Sequence, residues 1–239
     1  MKIKEKCLDL LYPPRCPACG GILRERTIRI CPECKGSFHP VTEHYCLKCG
    51  KPIGELEEYC GECIRRRRSF CRGRGVFLYN TRMKKSLMRY KYQGCREYGQ
   101  FYAESICRYV GEEILRWNPD VIVPVPLSGR RYRMRGFNQA ADLAEKTGMI
   151  LQVPVAPELV SKVRETKSQK KLDAVERRNN LKNAFYVEQS VKGLTILIMD
   201  DVYTTGSTVE TLAECLVENG AEAVFFVTLC IGQSGNGEG

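Results

Sequence analysis

Eight of the fourteen cysteines stand in four pairs of one spacing: Cys16 with Cys19, Cys31 with Cys34, Cys46 with Cys49, and Cys60 with Cys63. A CxxC turn lets two thiolates approach one tetrahedral Zn²⁺ at about 2.3 Å, and two such turns complete a closed site. Four pairs therefore fit two structural Cys₄ zinc sites. Sequential pairing, first knuckle with second and third with fourth, gives two tandem ribbons; a cross-braced pairing, first with third and second with fourth, is the alternative. Gly20 and Gly50 directly follow their knuckles, where a backbone N–H can turn toward sulfur. His39 and His44 lie among the pairs and read as turn residues, since thiols suffice. A segment this small has little apolar core without metal. A second constellation lies near the other end, at Asp200 and Asp201, followed by Val202, Tyr203, Thr204, Thr205, Gly206, Ser207 and Thr208. An apolar run delivers two carboxylates, and a helix begins a few residues later. Small hydroxyl residues and a glycine let successive N–H groups face one anion, assisted by the helix N-terminus. The two carboxylates can accept from vicinal sugar hydroxyls, so the set suits a ribose 5-phosphate. Neither a P-loop lysine motif nor a G-x-G-x-x-G fingerprint occurs.

Charge adds a third feature. The chain carries a net +10, and the twelve Lys and Arg residues from 65 to 96, with no Asp or Glu among them, exceed that total. Phe70, Phe77, Tyr79, Tyr90 and Tyr92 are interleaved with them. Cations that neutralise a backbone and aromatics that stack on bases are how single strands are held without sequence reading. Arg65, Arg66, Arg67, Arg68, Lys84, Lys85, Arg89, Tyr90 and Lys91 are the candidate contacts, whereas Phe77 and Tyr79, in a short strand, read as core.

These residues need a scaffold. Residues 1–11 can form a short amphipathic helix, and residues 12–64 are rich in Cys, Gly and Pro. Beyond them the pattern alternates: strand 75–79, basic helix 82–92, helix 97–117, strand 121–126, helix 138–146, strand 150–155, strand 195–201, helix 207–219, strand 222–231. Strands apolar throughout and separated by helices imply a parallel sheet covered on both faces. The fold class expected is α/β, with a small cysteine-rich double zinc ribbon in front. Domains are expected at residues 1–64 and 65–232, the second opening with the basic segment, with a disordered tail over 233–239. Cys7, Cys71, Cys95, Cys107, Cys215 and Cys230 are unpaired in sequence and read as small buried apolar residues.

The N-terminal apolar stretch is broken at residues 7–9 and stopped by Pro13 and Pro14, and no run approaches the ~18 apolar residues of a membrane helix. No membrane span is expected, and paired thiols used as metal ligands point to a reducing, cytoplasmic setting.

With these residues in view, the strand, paired acids and Thr/Gly loop resemble the PRPP-binding motif of the type I phosphoribosyltransferases, Tyr203 standing where that motif has an aliphatic residue. Pro124-Val125-Pro126-Leu127-Ser128-Gly129-Arg130-Arg131, Arg135-Gly136-Phe137-Asn138-Gln139 and Arg164-Glu165-Thr166-Lys167-Ser168-Gln169, together with the cysteine module, are similar to the ComF family (ComFC and GntX-like proteins). The resemblance implies that Asp200 and Asp201 hold the ribose hydroxyls of PRPP and that Thr204, Thr205, Gly206, Ser207 and Thr208 cradle its 5-phosphate. It implies a pyrophosphate loop at Pro126, Leu127, Ser128, Gly129 and Arg130, with Arg130 or Arg131 near its oxygens. A mobile loop at residues 162–178 would bring Arg164, Lys167 and Arg177 as anion contacts, and Mg²⁺ would be held mainly by ligand oxygens. Three functions compete. The first is a ComF-like protein that handles single-stranded DNA in competence and DNA uptake, with PRPP as a catalytic or regulatory input and DNA-processing proteins as partners. The second is a metabolic phosphoribosyltransferase with an unidentified acceptor; the third, a regulator that senses PRPP and binds nucleic acid without turnover.

Overall fold

The structure, a computed structural model, describes residues 13–25, 27–162 and 184–233. The predicted helix over residues 1–11, the loop residues Arg164, Lys167 and Arg177, and most of the predicted tail lie outside them. A 3₁₀ turn (Pro32–Cys34) and helix α1 (Gly61–Arg65) belong to the cysteine-rich part. There follow β1 (Arg72–Leu78), α2 (Thr81–Tyr92), α3 (Tyr98–Trp117), β2 (Val121–Pro124), α4 (Gly129–Arg135) and α5 (Gln139–Leu151). The chain continues with β3 (Val160–Lys162), β4 (Phe185–Val187), β5 (Thr195–Tyr203), α6 (Ser207–Glu218) and β6 (Ala223–Ile231).

Strands β1, β6, β5 and β2 form, in that order, a wholly parallel sheet, while β3 and β4 pair antiparallel beside it. The apolar run of β5 is apolar on both sides because both faces are covered. Leu197 and Met199 enter one core with Ile106 and Val110 of α3 and Leu143 of α5. Ile196 and Ile198 enter the other with Val209, Leu212 and Leu216 of α6. After β2 the chain runs outward through α5 to Val155, which bridges Ile122 in parallel. After β5 it turns the other way, through α6 to β6. The direction of winding thus reverses between β2 and β5, and the crevice at their carboxyl ends is where such sheets take ligands.

The strand predicted over 150–155 is not formed. Helix α5 continues to Leu151, and Gln152 ends it in the left-handed conformation with φ +58°. The Val153 N–H donates back to the Gly148 carbonyl at 3.0 Å, so only Val155 reaches the sheet.

The cysteine-rich part closes the open edge of β1. Between the ribbons, the Val41 N–H donates to Val76 O at 2.9 Å, and the Leu78 N–H to His39 O at 2.9 Å. The first ribbon contributes Cys16, Leu23 and Phe38 to the core on the α3 side, and the second contributes Cys46, Cys49 and Cys60 to the core on the α6 side. The ribbons therefore straddle the sheet, one on each face. Backbone approach is close there: the Gly73 N–H donates to Lys48 O at 2.9 Å, and a Cβ on Gly73 would lie 1.9 Å from the Phe226 ring. Phe226 is itself fixed edge-on against Phe70, centroids 4.8 Å apart. Gly73→Ala should accordingly destabilise the protein by about 1–3 kcal/mol through overpacking. Urea denaturation measures this, and an unchanged midpoint would mean that Phe226 can move aside.

Candidate functional site

The eight paired thiols converge as two tetrads, Cys16, Cys19, Cys31 and Cys34, and Cys46, Cys49, Cys60 and Cys63. This is the sequential pairing. Cys16 and Cys31 sulfurs lie 3.6 Å apart, Cys19 and Cys31 3.8 Å, and Cys49 and Cys60 3.7 Å. A tetrahedron with metal–sulfur bonds of about 2.3 Å has edges of roughly 3.8 Å, so each donor set fits a closed zinc site. Burial opposes a thiolate at Cys16, but backbone N–H groups of Cys19, Cys31 and Ala18 bring it down to about 7. The knuckles repeat each other: Cys16 N–H to Gly21 O and Cys46 N–H to Lys51 O, both 2.8 Å. The N–H that turns toward sulfur in the first knuckle is that of Gly21, 3.4 Å from Cys19 Sγ; Gly20 and Gly50 instead donate to the carbonyls of Cys16 and Cys46.

The second constellation is assembled where β2 and β5 end side by side. Asp200 is half-buried and Asp201 buried. The Asp201 N–H donates to Asp200 Oδ1 at 2.8 Å, which holds the pair in one arrangement. Burial, then the Asp201 charge, push the Asp200 carboxyl well above the usual carboxylate range. Burial works against Asp201 as well, but the ammonium of Lys91 and the amide of Gln139 outweigh it and hold this carboxyl below its usual value. Lys91 forms an ion pair with Asp201 Oδ2, and Gln139 Nε2 donates to Oδ1 at 3.2 Å.

Past Asp201 the chain turns at Gly206, whose φ is +75° and whose Cβ, were there one, would meet Tyr203 Oη at 2.3 Å. Only glycine fits both conditions. Thr204, Thr205, Ser207 and Thr208 are exposed around it, and Thr205 Oγ1 lies 3.2 Å from Ser207 Oγ. Helix α6 starts on Gly206 with no side-chain cap, so its first-turn N–H groups face the loop. Glu210, the one acidic residue of that turn, is drawn away by the Ser69 N–H at 2.8 Å and by Arg68. Beneath the loop Tyr203 stacks on Phe226, centroids 4.7 Å apart, in the core that holds the second tetrad.

The adjoining loop from β2 lies alongside. The Val125 N–H donates to Met199 O at 2.9 Å, which sets Pro126, Leu127 and Ser128 next to the acids. Arg130 and Arg131 are exposed on α4, a helix the sequence reading did not anticipate. Asn138 caps α5 through the Ala140 N–H and donates to Val125 O at 3.0 Å, thereby aiming Gln139 at Asp201.

Of the basic candidates, Arg65, Arg66, Arg67, Lys84 and Lys85 are exposed. Four others are not available in the way expected. Tyr90 is fully buried, donating to Asp142 Oδ2 at 2.6 Å, and cannot stack on a base. The Arg68 side chain is 6% exposed and spans Glu62 and Glu210. Lys91 is turned into the site, and Arg89 is half-buried with its guanidinium 3.4 Å from the Ala18 carbonyl. Helical spacing carried the signal for Tyr90: Met83, Ser86, Leu87 and Tyr90 are three and four apart and share the buried face of α2.

Comparison with known proteins gives two family matches. The double zinc ribbon domain family model matches residues 7–64, and the phosphoribosyl transferase domain family model matches residues 101–238. The chain is 33% identical over 222 residues to the DNA utilization protein YhgH of Salmonella typhi, covering 90% of this chain and 89% of that one. It is 32% identical over 206 residues to the competence protein ComFC of Bacillus subtilis, covering 82% and 80%. It is 29% identical over 221 residues to competence protein F of Haemophilus influenzae, covering 88% and 93%.

Two zinc ions per chain are expected by metal analysis. The double variant Cys16→Ser with Cys31→Ser should retain one, because both residues belong to one tetrad. Loss of both ions would restore the cross-braced alternative.

Proposed function

Since this chain belongs to the phosphoribosyl transferase domain family, within the ComF group that carries a double zinc ribbon, we propose that it binds PRPP with Mg²⁺ and handles single-stranded DNA. The observation that carries this reading is the juxtaposition at the carboxyl end of the sheet: two carboxylates closing β5, an exposed hydroxyl loop turning on Gly206, and the Pro126–Leu127–Ser128 loop of the neighbouring strand. A ribose placed against Asp200 and Asp201 donates its two hydroxyls to them. Its 5-phosphate meets the N–H groups and hydroxyls of Thr204, Thr205, Gly206, Ser207 and Thr208, and its pyrophosphate lies toward Pro126–Leu127–Ser128 and the guanidinium groups of Arg130 and Arg131. By the resemblance, Arg164, Lys167 and Arg177, which lie outside the described residues, would add anion contacts. Mg²⁺ arrives with the ligand and is held mainly by its oxygens.

Transfer would break the bond between C1 of the ribose and pyrophosphate through an oxocarbenium-like state, with charge neutralisation and positioning as the protein's contribution. No protein nucleophile is required. DNA handling, in keeping with the DNA utilization and competence named for the relatives and with DNA uptake as its setting, draws support from the exposed cations. Arg66 and Arg67, with Lys48 and Tyr59, line a cleft of about 390 Å³ beside the second ribbon. Lys84 and Lys85 lie exposed on α2, and Tyr92, 42% exposed, replaces Tyr90 as the aromatic available there. No helix among the described residues is long and apolar enough to cross a membrane. The reading places the protein in the cytoplasm, where its thiols stay reduced.

PRPP with Mg²⁺ should raise the melting temperature, since a ligand bound only to the native state must do so. Asp200→Asn with Asp201→Asn should abolish that shift, and an equal shift in the double variant would remove the carboxylates from ribose binding. Release of pyrophosphate from PRPP, with and without single-stranded DNA or a panel of bases, separates turnover from sensing.

Single-stranded DNA should bind with little sequence preference, its log affinity falling with log salt by about 0.7 per neutralised phosphate. Replacing Arg65, Arg66 and Arg67 with Ala should reduce both affinity and slope, whereas Tyr92→Leu should reduce affinity at constant slope. No binding at low salt, or complete displacement by PRPP, would leave these cations as a solvated face.

A further inference from the structure

Lys91 belongs to the basic stretch by sequence, but the fold removes it from that surface. Its side chain is 15% exposed, and its ammonium meets Asp201 Oδ2 inside the crevice. Helix α2 is held so that it can do nothing else. Ser86 Oγ donates to Pro17 O at 2.5 Å and lies 2.6 Å from Tyr102 Oη, and Tyr90 Oη donates to Asp142 Oδ2. Asp142 is in turn paired with Lys146 and Arg96. The residue before Lys91 is therefore pinned to α5, the helix that also carries Gln139. From α5 itself Gln139 Nε2 reaches the other oxygen of Asp201, while Gln139 Oε1 is buried with no hydrogen-bond partner among the described residues. An acceptor left open next to a carboxylate held from both sides is what a hydroxyl donor would use.

Among the described residues, the groups facing Asp201 are few. They are Asp200 on its own strand, Lys91 and Tyr90 on α2, Gln139 on α5, and the buried Cys230 thiol on β6. Lys91 is the one cation in that set. Two adjacent carboxylates resist ionising together, and an ionised carboxylate is the stronger acceptor for a ribose hydroxyl.

We propose that Lys91 is a positioning residue of the PRPP site, its ammonium holding Asp201 oriented and ionised as an acceptor for a ribose hydroxyl. The inference rests on the PRPP reading above and adds to it a residue outside the strand–loop motif. The ion pair also fixes the sugar's side of approach, because Oδ2 is occupied by Lys91 and Oδ1 is shared with Gln139.

Two measurements test it. In the ligand-free protein, carboxylate titration by NMR should show Asp201 ionising at lower pH in the wild type than in Lys91→Met. A pH difference of at least about one unit is expected for loss of a cation in contact. By calorimetry with PRPP and Mg²⁺, Lys91→Met should bind at least about tenfold more weakly at neutral pH, about 1.4 kcal/mol. The acid side of its binding profile should move to higher pH, and Lys91→Arg should recover most of the affinity. Variant and wild type share the titration of the ligand's own phosphates, so that contribution cancels. A Lys91→Met protein that melts like the wild type yet keeps both affinity and pH profile overturns the proposal. So does an Asp201 titration that Lys91→Met leaves unmoved. Should Lys91→Met not fold, Lys91→Arg and Lys91→Gln carry the same comparison, and equal binding by these two overturns it. If the wild type itself fails to bind PRPP, the functional reading falls, while the titration still decides whether Lys91 governs Asp201.

Discussion

Strand β1 enters the sheet at its edge, with Gly73 and Gly75 packed against Phe226 and Ile231 of β6 and with the ribbons on its other side. An edge strand with exposed N–H and C=O groups invites wrong pairing, and covering it is the usual remedy. Here residues 39–41 and Lys48 supply the missing partners, and they are held in place by knuckles that have almost no apolar core of their own. The sulfur tetrads consequently support more than two small loops. Metal binding free energy of a structural site is folding free energy, and in this chain it is spent at the sheet edge and on both of the cores that the sheet separates.

Much of the scaffold could be read from the residues. The continuous apolar run of β5 had to be covered on both faces, and it was too short for a helix of the core; alternate residues do enter opposite cores. Equal CxxC spacings predicted closed thiolate sites, and sulfur separations near 3.7 Å agree with them. The paired acids followed by a hydroxyl loop were visible as a type of turn. What could not be read is how distant elements meet. Nothing local in residues 150–155 reveals that Gly148 and Gln152 let the helix run on and then reverse. Tyr203 looked like a local oddity, but its ring is stacked on Phe226 and its hydroxyl fills the place a side chain at 206 would need.

The basic stretch shows why a count of charges overstates a surface. Arg68 and Arg74 are directed inward, the first to Glu62 and Glu210, the second to Glu113 and over the face of Tyr45. Burial lowers the Arg74 pKa against the pull of Glu113, and its guanidinium still serves as a strut between β1, α3 and the linker carbonyl of Val41. Composition gives the number of cations available to a polyanion, whereas the helical and strand periods decide which of them face water. Lys84 and Lys85 fall on the outer side of α2 for the same reason that Met83, Leu87 and Tyr90 fall on the inner one.

Two routes lead from the ribbons to the crevice, one on each face of the sheet. On one face, carbonyls of the first knuckle, Pro17 and Ala18, accept from Ser86 and Arg89 and so fix α2, whose last turn delivers Lys91 to Asp201. On the other, Glu62 of the second ribbon pairs with Lys51 and Arg68, Arg68 reaches Glu210 in the first turn of α6, and Tyr203 lies between this cluster and Gly206. One route ends at the carboxylates and the other at the hydroxyl loop, the two halves of the crevice at the carboxyl end of the sheet. A domain joined only through a linker would not need contacts of this kind on both faces. The ribbons are better understood as walls of the site's frame, set where a displacement of either would be felt first by the paired carboxylates and the hydroxyl loop.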